Sequence, residues 1–336
     1  MDIKYDELIS VENLLESWRM YKREKSKKSD VMAFERHLED NLFTLRDELQ
    51  SGNYLHGEYS YFRISDPKKR DIYKSTVRDR VVHQAMYGYL CKRYDPLFSE
   101  NSFSSRKGKG THKAIAAIAE QVRAIRKSKK RCWAMKCDVR KYFENINHKI
   151  LLDTLRSQVS DEKIFNLIKI IVESFHKETA KGVPLGNITS QIFANIYLNE
   201  LDKFAENELN LKNHYVRYND DFIIIGDNKK DLFDQVEKIR KFLNENLILE
   251  LPWEKIAFRK LRWGIDFCGC VVLPNAVLLR NKTKGRMFEK LDAIARNTCV
   301  RKISQSDFRR ILDSYFGLLS HCKTYNLRCK VKNRYC

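Results

Sequence analysis

Residues 214–226 read HYVRYNDDFIIIG, and the adjacent Asp220 and Asp221 at its centre demand a chemical reason. The runs on either side have the character of β-strands. Asn-Asp between strands is a hairpin signal, because both side chains tolerate the backbone angles of a tight turn. A turn does not need a second carboxylate beside the first. Neighbouring carboxylates repel, so they persist either as a solvated acidic turn or as ligands of a hard cation such as Mg²⁺, which prefers carboxylate oxygen. A third carboxylate favours the ligand reading. In WAMKCD, residues Trp133, Met135 and Cys137 alternate with Ala134, Lys136 and Asp138, the period of a strand, so Asp138 stands at a strand end. One such Asp with two from a neighbouring hairpin can hold two divalent ions roughly 3.5–4 Å apart, an arrangement suited to phosphoryl displacement.

The elements that must position these residues are legible in outline. The first fifty residues have helical apolar spacing in ISVENLLESWRMY and VMAFERHLEDNLFTLRDEL. GEYSYFRIS predicts a strand, PKKRDIYKS a basic turn leading to another, and TVRDRVVHQAMYGYLCKRYDPLF a helix. NSFSSRKGKGTHKA is a loop and AIAAIAEQVRAIRKSKKR a helix. After the Asp138 strand come a helix in EKIFNLIKIIVESF, a loop in VPLGNITS and a helix in QIFANIYLNELDKFAENEL, with Ile192/Ile196 and Phe193/Tyr197 at i,i+4. The hairpin precedes a helix in LFDQVEKIRKFLNENL and short strands in KIAFRK and IDFCGCVVL, and the chain beyond about residue 283 reads as helical. Helices packed on an antiparallel sheet make this an α+β chain.

Composition narrows the partners. With 336 residues, 43% hydrophobic and 32% charged, the chain is long enough for two or three domains with a real core. No apolar run approaches the ~20 residues that span a bilayer, and MDIKYDELIS lacks a signal-peptide core, so a cytoplasmic protein with no membrane partner is expected. Nine cysteines without a CxxC pair predict free thiols, Cys268 and Cys270 alternating on one face of a strand. The net charge of +20 implies a polyanionic partner, most simply nucleic acid. From Arg280 onward 15 basic residues face 4 acidic ones, a net +11. Smaller clusters lie at 22–28, 67–70 and 126–131.

KCDVRKYF, KGVPLGNITSQIFANIYLNELD and RYNDDF resemble, in order and spacing, motifs A, B and C of the palm of reverse transcriptases. The resemblance runs from about residue 60 to the end of the chain. It implies a right-hand polymerase fold: an N-terminal helical extension at 1–60, fingers and palm at 61–275, and a basic helical thumb at 276–336. It implies that Asp138, Asp220 and Asp221 are catalytic metal ligands, joined by Val139, holding two Mg²⁺ ions, with Mn²⁺ able to substitute. One ion would activate the primer 3′-hydroxyl and the other hold the triphosphate. RNA template, an RNA or DNA primer, their RNA–DNA duplex and dNTPs become the expected partners.

Within that resemblance, Phe143 occupies the place of the aromatic that clashes with a ribose 2′-hydroxyl; either it or Tyr142 could instead pack inward. Lys69, Arg70 and Arg78 lie where fingers contact the triphosphate, and Lys255 where a general acid would protonate pyrophosphate. Gly186 permits close backbone approach to the nucleotide. Many reverse transcriptases carry Gln before this Gly; here it is Leu185. The run Leu185-Gly186-Asn187-Ile188-Thr189-Ser190-Gln191 is similar to the enzymes of diversity-generating retroelements, which misincorporate at template adenines and work with a small basic ring-forming accessory protein. Gln191 is expected to touch template or nucleotide, or to cap its helix. Leu185 and the Ser190-Gln191 pair argue against a faithful group II intron-like or phage-defence enzyme. The aromatic gate argues against an RNA-dependent RNA polymerase, and the full set of aspartates against a non-catalytic RNA-binding scaffold. The chain ends after the thumb, and no RNase H, maturase or endonuclease domain is expected.

Overall fold

The computed structural model describes residues 3–65, 69–128, 132–299 and 304–335. Parts of three basic clusters, Pro67 and Lys68, Lys129 to Arg131, and Arg301 and Lys302, therefore lie outside the described residues. In chain order the elements are α1 Tyr5–Leu8, α2 Val11–Lys22, α3 Ser29–Arg36, α4 Leu38–Ser51, β1 Ser60–Ile64, β2 Arg70–Lys74, α5 Val77–Tyr94 and α6 Thr111–Ser128. Next come β3 Trp133–Asp138, α7 Tyr142–Asn145, α8 His148–Arg156, α9 Glu162–Glu173, α10 Ile188–Lys203, β4 Tyr215–Tyr218, β5 Asp221–Gly226 and α11 Lys229–Leu247. The last are β6 Ile256–Lys260, β7 Ile265–Phe267, β8 Cys270–Leu273, β9 Ala276–Leu279, α12 Asn281–Cys299, α13 Gln305–Ser320 and α14 Tyr325–Tyr335. The α+β reading holds, with every sheet antiparallel.

The chain forms two compact units. The first comprises the N-terminal part to Glu100, Val139–Phe204 and Ile239–Leu251. Here α2 packs on α4 and α5, α5 on α10 and α10 on α8, burying Trp18, Leu45, Met86, Phe193 and Tyr197. Helix α5 is capped by Thr76, whose hydroxyl accepts from the Asp79 amide and so satisfies a first-turn donor. Helix α10 begins at Ile188, earlier than the VPLGNITS loop reading placed it, because Thr189 and Ser190 are already buried. The short β1–β2 hairpin pairs Tyr61 with Tyr73.

The second unit comprises Asn101–Asp138, Ala205–Lys238 and Pro252 onward. Its four-stranded sheet has the order β4-β5-β3-β6. Helix α6 covers one face: Ile115, Ile118, Val122 and Ile125, at helical spacing, pack with Ala134, Val216, Ile223 and Ile225. The same apolar cluster continues through Phe267 and Leu279 of the β7-β8-β9 sheet to Leu291, Leu312 and Val331 of the three C-terminal helices.

Cys268 and Cys270 do not alternate along one strand. Cys268 (φ +47°) and Gly269 (φ +81°) form the two-residue turn between β7 and β8, closed by the Phe267–Cys270 pair. Both turn residues need positive φ, which a continuous strand cannot supply.

Candidate active site

The three aspartates come together at one end of the four-stranded sheet. Residues Asn219 and Asp220 form the predicted turn between β4 and β5, with Asn219 in the left-handed region at φ +59°. Asp221 opens β5 directly opposite Asp138, the last residue of β3. Opposed residues of an antiparallel pair carry Cβ atoms ~4.5–5.5 Å apart on the same face. On the other side of β3, Cys137 pairs with Ile256 of β6, which places Lys255 beside Asp138.

The charges are balanced by lysines. Lys255 Nζ donates to Asp138 Oδ1 at 2.8 Å, and Lys136 Nζ lies 3.5 Å from Asp221 Oδ2. The Asp138 hydrogen bond raises the Lys255 pKa and so keeps its proton. Trp253, stacked on Phe233 with ring centroids 4.9 Å apart, anchors the short turn that presents Lys255. Burial pushes the Asp220 carboxyl up to about 6, and the nearby Asp221 and Asp138 charges add to the rise. Among the described residues no three His, Cys, Asp or Glu side chains are gathered tightly enough to grip an ion as they stand. The donor chemistry nevertheless fits a hard divalent cation: all three groups are carboxylates, and the Asp221 and Asp138 charges both reach Asp220. Lys136 and Lys255 occupy the oxygens that such a cation would take. Sequence reasoning gave Lys136 no role; its position two residues before Asp138, on the same strand face, was the available signal.

In the first unit, residues expected at the nucleotide line a 410 Å³ cavity. Its walls include Lys69, Arg70, Phe143, Val183, Leu185 and Lys177. Tyr142 resolves the ambiguity beside Phe143: it is buried and its hydroxyl donates to the Ala194 carbonyl, leaving Phe143 half-buried at the cavity. The Phe143 carbonyl accepts from Val183 N at 2.8 Å, and the Leu185 carbonyl from Tyr73 N at 2.9 Å. Both backbones are thus tied to the cavity wall. Gly186 has φ +129°, and a Cβ there would stand 3.0 Å from the Tyr73 carbonyl oxygen and 3.1 Å from Ile72 Cγ2. Only glycine meets both demands. Arg63 holds the Asp71 carboxyl below its usual range, with Tyr61 assisting.

Three expected residues are not on this cavity's wall: Gly186 lines a separate 480 Å³ cavity with Asn187 and Ile188, and Arg78 and Gln191 lie elsewhere. Arg78 is engaged elsewhere: its guanidinium pairs with Glu48 and Asp79, lies 4.7 Å from the Tyr54 ring centroid and donates to the Leu55 carbonyl. Gln191 is exposed on the first turn of α10, and Asn187, not Gln191, is the residue at the cap. A buried polar network that spacing could not reveal supports the loop. His83 Nδ1 lies 2.6 Å from Thr189 Oγ1, His83 Nε2 lies 3.0 Å from His56 Nε2, and Ser75 donates to Asn187 Oδ1 at 3.0 Å. Burial, then the charges of His56 and Arg80, push the His83 pKa down to about 3.

A carboxylate-bearing antiparallel sheet with helices on one face is the palm of a right-hand polymerase, and comparison with known proteins narrows the class. Residues 66–272 match the family described as reverse transcriptase (RNA-dependent DNA polymerase), and the chain belongs to that family. It is 26% identical over 264 residues to protein YkfC of Escherichia coli, covering 67% of this chain and 69% of that one. It is 28% identical over 218 residues to the group II intron-encoded protein LtrA of Lactococcus lactis, covering 63% of this chain but only 34% of LtrA. Apo telomerase from Candida tropicalis shares the fold at a TM-score of 0.53 and 13% identity, over 72% of this chain and 52% of that one. The family's substrates are an RNA template and nucleotides, and its members use divalent metal ions. Among the described residues no helix is long and apolar enough to cross a membrane.

Proposed function

We propose that this chain copies an RNA template repeat into cDNA with errors directed to template adenines, so as to diversify a target gene. The observation that carries the reading is Leu185 on the wall of the cavity shared with Phe143 and Arg70. An alkyl chain there offers no hydrogen bond to an incoming nucleotide. Loss of one well-placed bond, ~1–2 kcal/mol, costs roughly ten-fold in discrimination.

The remaining roles follow the same reading. Asp138, Asp220, Asp221 and the Val139 carbonyl hold two Mg²⁺ ions, for which Mn²⁺ can substitute. When bound, such ions neutralise the developing charge on the attacking and leaving oxygens. Lys255 holds a proton at Nζ for the pyrophosphate, Arg70 and Lys69 bind the triphosphate, and Gly186 lets the backbone approach the nucleotide. Phe143 excludes ribonucleotides. Gln191, exposed beside the loop, faces template, while Arg78 keeps α5 tied to α4. The segments 1–60, 61–275 and 276–336 act as helical extension, fingers with palm, and thumb gripping the RNA–DNA duplex. A small basic ring-forming protein serves as accessory partner. A second reading, a faithful intron-like enzyme, is favoured by the kinship to LtrA.

Primer extension on a short RNA template, with the cDNA sequenced, separates the two. Errors should concentrate at template adenines and fall roughly ten-fold in Leu185→Gln. Uniformly faithful cDNA would establish the intron-like reading, and efficient extension with ribonucleotides would remove the role given to Phe143.

A further inference from the structure

At the opposite end of β3 from Asp138 lies a second cleft, an 820 Å³ cavity in the second unit. Trp133 and Asp138 are the first and last residues of the six-residue β3, about 17 Å apart at the usual rise, so the cleft is outside the reach of the carboxylates. Its volume is within the roughly 300–1,000 Å³ of ordinary ligand sites. Arg126, Trp133, Lys260 and Arg262 contribute to its walls, and no Asp or Glu does among the described residues.

The cations and rings form a connected set. Lys260 Nζ lies 5.3 Å from the Trp133 ring centroid and 5.5 Å from that of Trp263. Lys229 Nζ approaches Trp133 at 5.8 Å, and the Arg262 guanidinium approaches Trp263 at 5.6 Å. Among the described residues, none of Lys229, Lys260 and Arg262 has a carboxylate within ion-pairing distance. Arg126 is turned onto Asn275 Oδ1 at 2.9 Å, a neutral acceptor. Trp263 is 58% exposed, so its indole is open to a partner beside these cations. The frame is fixed rather than loose. Leu261 N donates to the Cys132 carbonyl, and Gly264 N closes the turn on the Leu261 carbonyl, both at 3.0 Å.

Uncompensated cations interleaved with indole faces suit one ligand class: an unpaired nucleic-acid strand. Its phosphates neutralise the cations while its bases stack on the rings. A duplex keeps its bases stacked on one another, so it offers phosphate but no free base face. We propose that this cleft binds a single-stranded segment of RNA outside the catalytic centre, holding template that is not yet, or no longer, paired to cDNA.

The test separates this site from the polymerase channel. The full chain is saturated with an unlabelled hairpin template–primer. Binding of a fluorescent unpaired RNA of about 12 nucleotides, within the usual footprint of such sites, is then followed by anisotropy. The RNA is expected to bind with the hairpin in place. Trp263→Ala and Arg262→Glu, both at exposed side chains, should each weaken it roughly ten-fold while leaving extension of the hairpin unchanged. Displacement of the RNA by the hairpin would overturn the proposal, as would unaltered affinity in both variants. Equal weakening of hairpin binding would reduce the cleft to general electrostatics. Competition by an acidic peptide as strong as by RNA of equal charge would assign the surface to a protein instead. The binding readout needs no dNTP, so it is independent of how faithfully the enzyme copies.

Discussion

Gly186 shows how one residue joins fold to chemistry. Its φ of +129° and its 3.0 Å approach to the Tyr73 carbonyl leave no room for a side chain. Gly186→Ala should cost about 1–3 kcal/mol of stability through strain. Displacing the Leu185 wall should lower the extension rate roughly ten-fold or more. Thermal unfolding and single-nucleotide extension would measure the two effects; a variant unchanged in both would show that the loop tolerates a Cβ and is not held as described. At this scale the sequence was informative where chemistry is local. Asp220 beside Asp221 and Asp138 at a strand end were visible because like charges seldom stand together without purpose. Arg78 could not be separated from Arg70 by residue type, since only the fold shows one spent on Glu48 and Asp79 and the other on the cavity wall. Lys136 and His83 escaped notice because their partners are distant in sequence or across a strand.

At the scale of elements, α5 and α10 are joined through the His83–Thr189 bond and the Asn187 network that underlies the Leu185–Gly186 loop. His83 is neutral when folded, with its pKa near 3 against 6.5 when exposed. The unfolded chain therefore binds more protons between these values, and stability must rise with pH across that window and be lost as pH falls through it. Lowering the pH from 7 to 5 should cost about 2 kcal/mol through this group alone. Urea unfolding at the two pH values would show it, and His83→Gln should lose less stability than the parent over the same interval. An equal loss in both would place the pH dependence elsewhere. Helices and strands with a clear 3.6 or 2.0 period were legible: α2, α5, β3 and the β4–β5 hairpin stand where periodicity put them, and α6 starts at Thr111, inside the segment read as a loop. The short α7 and α8 were not read, and IDFCGCVVL looked like one strand because its turn residues are flanked by apolar ones on both sides.

At the scale of the molecule, the proposed function gives the charge of +20 and the basic C-terminal helices the task of holding the template. Affinity for template–primer should fall roughly a thousand-fold or more between 50 and 200 mM salt, as counterion release requires when many phosphates are neutralised. A shallow salt dependence would show that the basic excess serves something other than the nucleic-acid track. The polymerase fold was legible from three motifs in order. The two compact units were not, because each is assembled from three separate segments and no Pro- or Gly-rich linker marks the crossings. The claim on which the rest depends is that Asp138, Asp220 and Asp221 form the catalytic centre. The direct measurement is primer extension by Asp138→Ala and Asp220→Ala, with template–primer affinity determined in parallel. Both variants should bind template–primer nearly as the parent does and synthesise no cDNA; sustained synthesis by either would contradict the account.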